Sequence, residues 1–345
     1  MSCCSESRDD SERSRNGRLG DSHVLEAVCS AVEILARQIY FRSPRLMRWY
    51  DGRRRKAGHK QHAQIEDLRE KVAASGFGPS RLVMVHASTR GMSIERSRHV
   101  TNDAVGVAAL LVSELLALSG DRGTLVMPTH PLYPRDPGYH AAVDKSDLVL
   151  TYDPIKTRTT VGLVNEIFRL CPGVLRTAHP LQCVSAIGPG AEDLLNNNLN
   201  ETKPLPHGVH SAYYRICKAN GTVISIGFPL IECCTFIHSA EDSRDQEWPV
   251  RDFFRERRFI VRLNGDERDW TVRERRPLFA RSYCEGQLHR DLLREGLLHE
   301  GTAGGIRVDW ASAGDVYEFL MHRNRGNSYP FFLPRLAKIG GRSWG

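Results

Sequence analysis

Short apolar runs alternate with amphipathic stretches along most of the chain, and this alternation predicts the order of its strands and helices. Residues 82–85 and 124–128 are apolar runs bounded by turn residues, which is typical of buried strands. Between them, apolar positions recur at helical spacing over residues 105–118. A strand, a helix and a strand at this separation predict a parallel pair with a right-handed crossover. The polar stretch at residues 88–102 is expected to be a loop.

The same pattern continues to the end of the chain and predicts an α/β protein. Two apolar stretches, 258–263 and 270–273, flank Asn264 and Gly265, which predicts a hairpin with a loop longer than two residues. Residues 129–160 lack periodicity, and a loop of that length is expected to be a lid or a binding wall. The other predicted elements are helices at residues 65–74, 161–170, from 189, 211–218, 282–298 and 313–322, and strands at 183–187, 221–227 and 306–308. The expected fold is a central mixed, largely parallel sheet flanked by helices, with the hairpin added to it.

The first 62 residues differ from the rest in composition. Residues 1–20 contain almost nothing to bury and are predicted to be a disordered tail. Residues 21–62 are predicted to form a basic helical extension, because apolar positions recur at helical spacing and a basic run begins at Arg53. We favour a solvated face for that run over a site for nucleic acid or anionic lipid. The remaining residues, 63–345, are expected to form one domain.

Composition narrows the class of protein. With 345 residues, of which 41% are hydrophobic, the chain is long enough for one large core or two smaller ones. It contains no run of the roughly 18 apolar residues that a membrane span needs, and its start resembles neither a signal nor a transit peptide. We therefore expect a cytoplasmic protein. The net charge of +7 suits a polyanionic partner such as a phosphorylated cofactor.

The nine cysteines are scattered, with no C-x-x-C pair and no matching histidine spacing. This usage predicts free thiols in a reducing compartment, with neither a disulfide framework nor a zinc site. A nucleophilic cysteine at Cys233 or Cys234 is a minor alternative, because nothing in the sequence marks either thiol as unusually acidic.

Candidate chemistry lies near the ends of predicted strands, where open α/β sheets bind ligands. One such stretch covers residues 86–90, and a second is the turn at His179. Pro180 restricts the backbone of His179, and an imidazole held in this way can act as a general base. The alternative is a structural histidine at a helix end.

The third stretch, residues 235–241, carries a histidine and a carboxylate at helical spacing. Thr235, His238 and Glu241 lie three apart, so a helix would place them on one face. A carboxylate beside an imidazole can orient it and stabilise its cation. H-x-x-E also occurs in metal sites, but no second histidine at ligand spacing accompanies it, so we expect no metal.

These stretches belong to a series of five motifs that resembles, in order, the motifs of the aminoglycoside 3-N-acetyltransferase family. That family comprises coenzyme A dependent N-acyltransferases that do not have the GNAT fold. The motifs are V-H-A-S-T-R at residues 85–90, G-T-L-V-M-P-T at 123–129, Y-D-P at 152–154 with G-L at 162–163 and E-I-F-R at 166–169, P-G-V-L-R-T-A-H-P at 172–180, and T-F-I-H-S-A-E at 235–241. The resemblance runs from about residue 76 to about residue 320.

The resemblance implies a fold of this family's type, an acyltransferase domain over residues 63–345, and acetyl-CoA or another acyl-CoA as co-substrate. His179 would be the general base, supported by Glu241 or Glu166, with His238 in the same site and no metal. Backbone donors near Ser88 and Thr89 would stabilise an oxyanion or the cofactor phosphates. The residues implied to bind the cofactor are His86, Ala87, Ser88, Thr89, Arg90 and Thr235.

The implied partners are coenzyme A and a small-molecule amine on an aminosugar or aminoglycoside-like acceptor. A homodimer is compatible with the family, and no nucleic-acid partner is expected. Acyl transfer to another amine or to a hydroxyl in a specialised biosynthetic pathway is an alternative on the same scaffold. A third hypothesis is an inactive homologue that serves as a binding module.

The sequence also departs from the family pattern. Gly106-Val107-Ala108 stands where the family has Gly-Gly-Ala, and Cys183 ends the motif that the family writes H-P-x-x-S. About the first 60 residues have no counterpart in short members. Because the chain carries a net charge of +7, we do not expect a broad range of polycationic aminoglycosides to be acceptors.

Overall fold

A seven-stranded mixed sheet lies at the centre of the protein. The structure is a computed structural model that describes residues 28–37, 39–40, 43, 45–46, 49, 61–133, 148–280, 282–325 and 327–331. The predicted tail at residues 1–20, much of the basic extension and part of the predicted lid lie outside the described residues. No helix within the described ranges is long and apolar enough to cross a membrane.

The described chain contains thirteen strands, whose bounds position everything that follows. They are β1 (Gln61–Gln64), β2 (Leu82–Ala87), β3 (Met92–Arg96), β4 (His99–Thr101), β5 (Thr124–Pro128), β6 (Leu150–Tyr152), β7 (Leu175–Arg176), β8 (Val184–Ile187), β9 (Thr222–Ile226), β10 (Phe254–Leu263), β11 (Asp266–Arg275), β12 (Leu298–Ala303) and β13 (Ile306–Ser312). The helices from residue 61 onward are α1 (Ile65–Ala74), α2 (Ala104–Ser119), α3 (Leu163–Arg169), α4 (Ala191–Leu195), α5 (Ala212–Lys218), α6 (Ser239–Asp242), α7 (Pro277–Ala280), α8 (Glu285–Arg294) and α9 (Ala313–Arg323).

The strand order of the main sheet is β12-β13-β9-β2-β5-β8-β7. Strands β2 and β5 pair in parallel, as the strand–helix–strand pattern predicts, and β2 also pairs in parallel with β9. The other pairings of this sheet are antiparallel. The mixed sheet is therefore confirmed, but its parallel part is confined to three strands, because β8 and β13 run antiparallel to β5 and β9 and each pairs with a further antiparallel strand at its edge.

Two smaller sheets contain strands that the sequence pattern did not show or showed incompletely. The expected loop at residues 88–102 contains β3 and β4, and β3 buries Met92 and Ile94 by strand alternation. The predicted hairpin is present, but β10 and β11 are longer than expected and pair up to a two-residue turn. Asn264 and Gly265 both have positive φ, which is the geometry that such a turn requires.

Helices cover both faces of the main sheet, so alternate residues of each central strand enter different cores. On one face Val83 and Val85 pack with α1, α2 and α3. On the other face Met84 and Val126 pack with α4, α5, α8 and α9. Such strands are buried on both sides and read as continuous apolar runs, which is why the sequence revealed them.

The helical part of the N-terminal extension contacts the domain through its polar side. Residues 28–37 are helical, and Arg37 pairs with Glu285 at 2.5 Å while the Glu33 carboxylate accepts a hydrogen bond from the Gly286 amide at 3.0 Å. The buried Ser30 donates to Gln287 at 2.9 Å. These contacts attach the extension to the start of α8.

Gly227 ends β9 in a left-handed conformation against the β2 loop, and this position tests the fold. Its φ is +90°, and a Cβ there would lie 2.4 Å from the Ser88 carbonyl oxygen. Gly265 has a similar φ of +92° but open space around it. We predict that Gly265→Ala lowers the free energy of unfolding by about 1–2 kcal/mol through backbone strain alone, and that Gly227→Ala lowers it clearly more. Equal losses in denaturant titrations would contradict this packing.

Candidate active site

A cleft of about 690 Å³ opens beside the loop that follows β2. Ala87, Ser88, Thr89 and Arg90 line one side of it, so four of the six residues expected to bind the cofactor lie together. The lining also includes Val161, Gly162, Leu163 and Phe228. Ala104, the first residue of α2, also lines the cleft, so the positive end of that helix dipole faces the space.

Local hydrogen bonds limit what this loop can donate to a ligand. The Ser88 amide donates to the Ile226 carbonyl at 3.0 Å, so it is not available to an oxyanion as the sequence suggested. The Arg90 amide donates to the Ser88 hydroxyl at 3.4 Å, which leaves the amides of Thr89 and Gly91 as the backbone donors of the loop that can face a ligand. At the start of α2, the Asp103 carboxylate accepts from the Gly106 amide at 2.7 Å.

The other two residues expected to bind the cofactor are not on the cleft wall. His86 is only 3% exposed, and burial lowers its pKa to about 3. Thr235 lies next to the buried Tyr213, away from the residues that line the cleft. His86 is thus a neutral interior residue below Ala87, and Thr235 belongs to a second, buried site.

That second site is built around His238, whose imidazole contacts both a carboxylate and a guanidinium. A short 3-10 turn, Thr235–His238, runs directly into α6 and places Glu241 next to His238, as the three-residue spacing predicts. His238 Nδ1 lies 3.1 Å from Glu241 Oε2. Arg275, the last residue of β11, places Nη1 3.2 Å from His238 Nε2.

Glu241 and Arg275 together determine which ring nitrogen of His238 carries the proton. An arginine can only donate, so Nε2 must be the acceptor and Nδ1 must carry the proton that Glu241 accepts. Burial, together with the charge of Arg275, holds the pKa of His238 well below its usual value. The imidazole is therefore neutral at neutral pH, and 17% of its side chain remains exposed.

Glu241 is fully buried, and burial raises its pKa to about 8 even though Arg275 acts in the opposite direction. Its second oxygen, Oε1, has no hydrogen-bond partner among the described residues. Asp242, the next residue, pairs with His207, with Oδ2 3.1 Å from Nδ1 and also accepting from the His207 amide at 3.1 Å. The rings of His207 and His238 lie 5.6 Å apart, edge to face. Two adjacent histidine–carboxylate pairs thus form the floor of the site.

The pair of His207 and Asp242 was not predicted from the sequence. His207 lies in a Pro-rich loop without strand or helix periodicity, and Asp242 follows the recognised motif by one residue. Only the packing of that loop on α6 brings them together. The sole available signal was a histidine held between Pro206 and Gly208.

His179 is placed differently from the general base that the sequence suggested. Its Nδ1 lies 3.1 Å from the Leu181 amide nitrogen and 3.0 Å from the Leu181 carbonyl oxygen, and its Nε2 faces the Pro204 carbonyl at 3.4 Å. The residue is 4% exposed, and burial lowers its pKa to about 4. Both ring nitrogens thus contact the backbone, which joins the 179–181 turn to the loop that carries His207.

Neither of the carboxylates expected to support His179 contacts it. Glu241 pairs with His238 as described, and Glu166 pairs with Arg169 at 2.8 Å and accepts from the Thr159 amide at 3.0 Å. Glu166 therefore joins α3 to the preceding loop. The reason is that His179 and Glu166 are in separate layers, which their order along the chain could not show.

The alternative chemistries find little support in the described chain. Burial raises the pKa of the Cys233 and Cys234 thiols, so neither is an activated nucleophile. Within the described residues, histidine, cysteine, aspartate and glutamate form no group that could hold a metal ion.

A series of buried histidines joins the cleft to the second site. His86 follows from the cleft residue Ala87, and His130 is near enough to His86 and His207 for both to lower its pKa, which burial already brings to about 3. His207 then contacts His238. The fold and these two sites define an α/β enzyme with a ligand cleft beside the central strands and a neutral histidine–carboxylate pair that packs in the other core.

Comparison with known proteins identifies the family. The sequence profile of the aminoglycoside 3-N-acetyltransferase family matches residues 84–324, which is more than two thirds of the chain. The protein belongs to this family and is an acyltransferase. Aminoglycoside N(3)-acetyltransferase VIII of Streptomyces fradiae is 29% identical over 261 residues, covering 72% of this chain and 87% of that protein. Aminoglycoside N(3)-acetyltransferase IX of Micromonospora chalcea is 25% identical over 252 residues, covering 65% of this chain and 84% of that protein.

Solved structures of the same family share the fold. AAC-IIIb in a binary complex with CoASH has a TM-score of 0.62 and 19% identity, covering 78% of this chain and 99% of that chain. AAC-VIa bound to sisomicin has a TM-score of 0.57 and 21% identity, covering 75% of this chain and 96% of that chain. The family and the α/β fold that the motifs implied are confirmed.

The raised pKa of Glu241 gives a pH-dependent stability that can be measured. Because that pKa is about 8 in the folded protein and about 4.5 in the unfolded chain, the native state holds the proton more tightly over this interval. Its contribution is present at low pH and is lost as the pH rises through 8. We predict that between pH 6.5 and 8 the wild type loses unfolding free energy relative to Glu241→Gln. Parallel pH profiles of the two proteins in denaturant titrations would refute the assignment.

Proposed function

We propose that this protein is a coenzyme A dependent N-acyltransferase that transfers an acetyl or other short acyl group to the amine of a small acceptor. The observation that carries the proposal is the His238–Glu241 pair, in which a neutral, partly exposed imidazole is oriented by the carboxyl group of Glu241. A neutral imidazole can take up a proton from an attacking amine, and a fixed orientation makes that transfer efficient.

The cleft beside Ser88, Thr89 and Arg90 is the proposed site for the acyl-CoA. Its volume of about 690 Å³ suits part of a cofactor-sized ligand. Arg90 is exposed at the rim, where its guanidinium can pair with phosphate. The family relationship and the CoASH complex of AAC-IIIb support this choice.

In the proposed reaction the amine nitrogen attacks the thioester carbonyl carbon, the carbon–sulfur bond breaks, and CoA leaves as its thiol. His238 Nε2 accepts the proton that the amine loses and returns it to the leaving sulfur. Glu241 holds the Nδ1 proton throughout, so that Nε2 faces the reactants. The Thr89 amide is the proposed donor to the developing oxyanion.

His179 acts in this scheme as a positioning residue. Its contacts to Leu181 and Pro204 hold the loop that carries His207, which packs against His238. The geometry thus favours His238 over His179 as the base. Transfer to another amine or to a hydroxyl uses the same residues and stays an alternative, whereas an inactive binding module gives no reason for the retained His238–Glu241 pair.

The assignment of the base predicts different effects for two histidines. His238→Asn should lower kcat by about 10²–10⁴, the usual contribution of general-base catalysis, while CoA affinity stays within about threefold. His179→Asn should lower the melting temperature and keep more than about a tenth of the wild-type kcat. Thiol release measured at saturating acyl-CoA distinguishes the two, and a larger kcat loss in His179→Asn would restore His179 as the base.

The proposed cofactor site predicts a role for Arg90 in binding the donor. Arg90→Gln should weaken CoA binding by about tenfold, the usual effect of removing one hydrogen bond to a charged group. Arg98→Gln, an exposed arginine in the β3–β4 turn that does not line the cleft, is the matched control. Calorimetric titration with CoA measures both, and equal affinities in the two variants would place the donor elsewhere.

A further inference from the structure

Arg275 is hydrogen-bonded to Nε2 of His238, the atom on which the proposed chemistry depends. Its Nη1 donates to His238 Nε2 at 3.2 Å, so the lone pair that would accept the amine proton is already engaged. The guanidinium lies over the rings of Phe253 and Phe331, 5.7 and 5.6 Å from their centroids. In this arrangement the proposed base is blocked by a cation.

The charge of Arg275 is poorly compensated where it lies. The residue is 9% exposed, and its Nε has no hydrogen-bond partner among the described residues. The nearest carboxylate is Glu241, 3.8 Å from Nη2, and burial raises its pKa to about 8, so it carries little negative charge at neutral pH. A buried charge without a full partner is costly, and an anionic ligand would relieve that cost.

An open cavity adjoins the aromatic ring on which Arg275 packs. Phe253, which packs under Arg275, also lines a cavity of about 770 Å³. Four arginines line the same cavity: Arg251, Arg255, Arg273 and Arg276.

The acids on the cavity wall are largely paired. Asp245 is bound by Arg273 at 2.5 and 2.8 Å, and Glu256 is bound by Lys203 at 2.5 Å. Asp252 is the remaining acid of the lining. Two of the four arginines are paired as well, because Arg273 binds Asp245 and Arg255 binds the buried Glu274 at 2.8 Å. The cavity wall therefore carries no large excess of positive charge, and Arg275 itself is the group that favours an anion.

We propose that the acceptor is an amine that also carries a carboxylate or phosphate group, and that this anion binds Arg275 and draws it away from His238 Nε2. The proposal rests on the function proposed above. Arg275 then has two effects on the reaction. It selects acceptors by charge, and it frees the base only when such an acceptor is bound.

The charge of the groups around His238 gives an independent signature. Arg275, Glu241, His207 and the Tyr283 ring face His238 from β11, α6, the 204–208 loop and the segment before α8. Arg275 lowers the pKa of His238, so removal of its charge should raise the pH at which His238 titrates. A role of Arg275 in folding alone would not move the low-pH limb of the activity profile upward.

The test compares acceptors that share an amine and differ in an anionic group. Thiol release from acetyl-CoA is measured with glucosamine 6-phosphate against glucosamine, with alanine against alaninamide, and with gentamicin. The full-length proteins are the wild type, Arg275→Gln, Arg275→Lys and the matched control Arg258→Gln, whose arginine is 62% exposed on the same hairpin. Melting temperature and CoA affinity show whether each variant is folded.

In the wild type we expect kcat/KM for the anionic member of at least one pair to exceed that of its neutral partner by about tenfold or more. In Arg275→Gln the ratio should fall to within about threefold, with the charge-retaining Arg275→Lys intermediate and Arg258→Gln unchanged. The wild-type ratio of kcat/KM between the anionic and the neutral acceptor tests the proposal even if a variant fails to fold.

Two other outcomes overturn the proposal in distinguishable ways. Turnover of gentamicin or of the neutral amines at rates equal to or above those of the anionic ones would refute the anionic acceptor and retain the acyltransferase function. Absence of thiol release with every acceptor would refute the proposed function itself.

Discussion

Burial of charge is the constraint on which this site depends. In the low-dielectric interior a lone imidazolium or carboxylate is penalised, so His238 remains neutral and Glu241 retains its proton to about pH 8. The same burial keeps His86 and His130 neutral along the path from the cleft. The imidazole of His238 is thus neutral, and Arg275 is the one buried cation in contact with it among the described residues. In the proposed reaction this neutral imidazole takes the amine proton, and the contact with Arg275 is the reason why the charge of the acceptor should matter.

The parallel strands of the main sheet and the long hairpin bring these groups together. Strands β9, β2 and β5 are parallel, so their carboxyl ends lie at one edge of the sheet. All three strands are buried on both faces. The β2 end carries the cleft residues Ser88 and Thr89, and the segment after β9 leads into the turn of His238. The long hairpin then brings Arg275, at the end of β11, against that turn. The groups proposed for catalysis and for selection of the acceptor therefore come from different parts of the chain.

The sequence predicted what depends on local spacing and missed what depends on tertiary packing. His238 and Glu241 were recognised because three residues of helix bring them together, and the central strands because their apolar runs are continuous. His179 as the base stays a prediction from the sequence; Pro180 fixes its backbone but cannot reveal that its ring nitrogens face Leu181 and Pro204. Asp242, His207 and Arg275 could not be found, because their contacts join a Pro-rich loop, α6 and a distant strand. Strands β3 and β12 were missed because they are short or largely polar.

The protonation state of His238 tests the account most directly, and it can be observed by nitrogen NMR on protein labelled at its 14 histidines. Loss of one signal in His238→Asn and of another in His179→Asn assigns the two imidazoles. The account predicts that His238 is a neutral Nδ1–H tautomer that does not titrate between pH 6 and 8, and that its Nε2 shift reports a hydrogen bond that disappears in Arg275→Gln. A His238 that is protonated at pH 7, or that carries its proton on Nε2, would contradict the proposed base and the role given to Arg275.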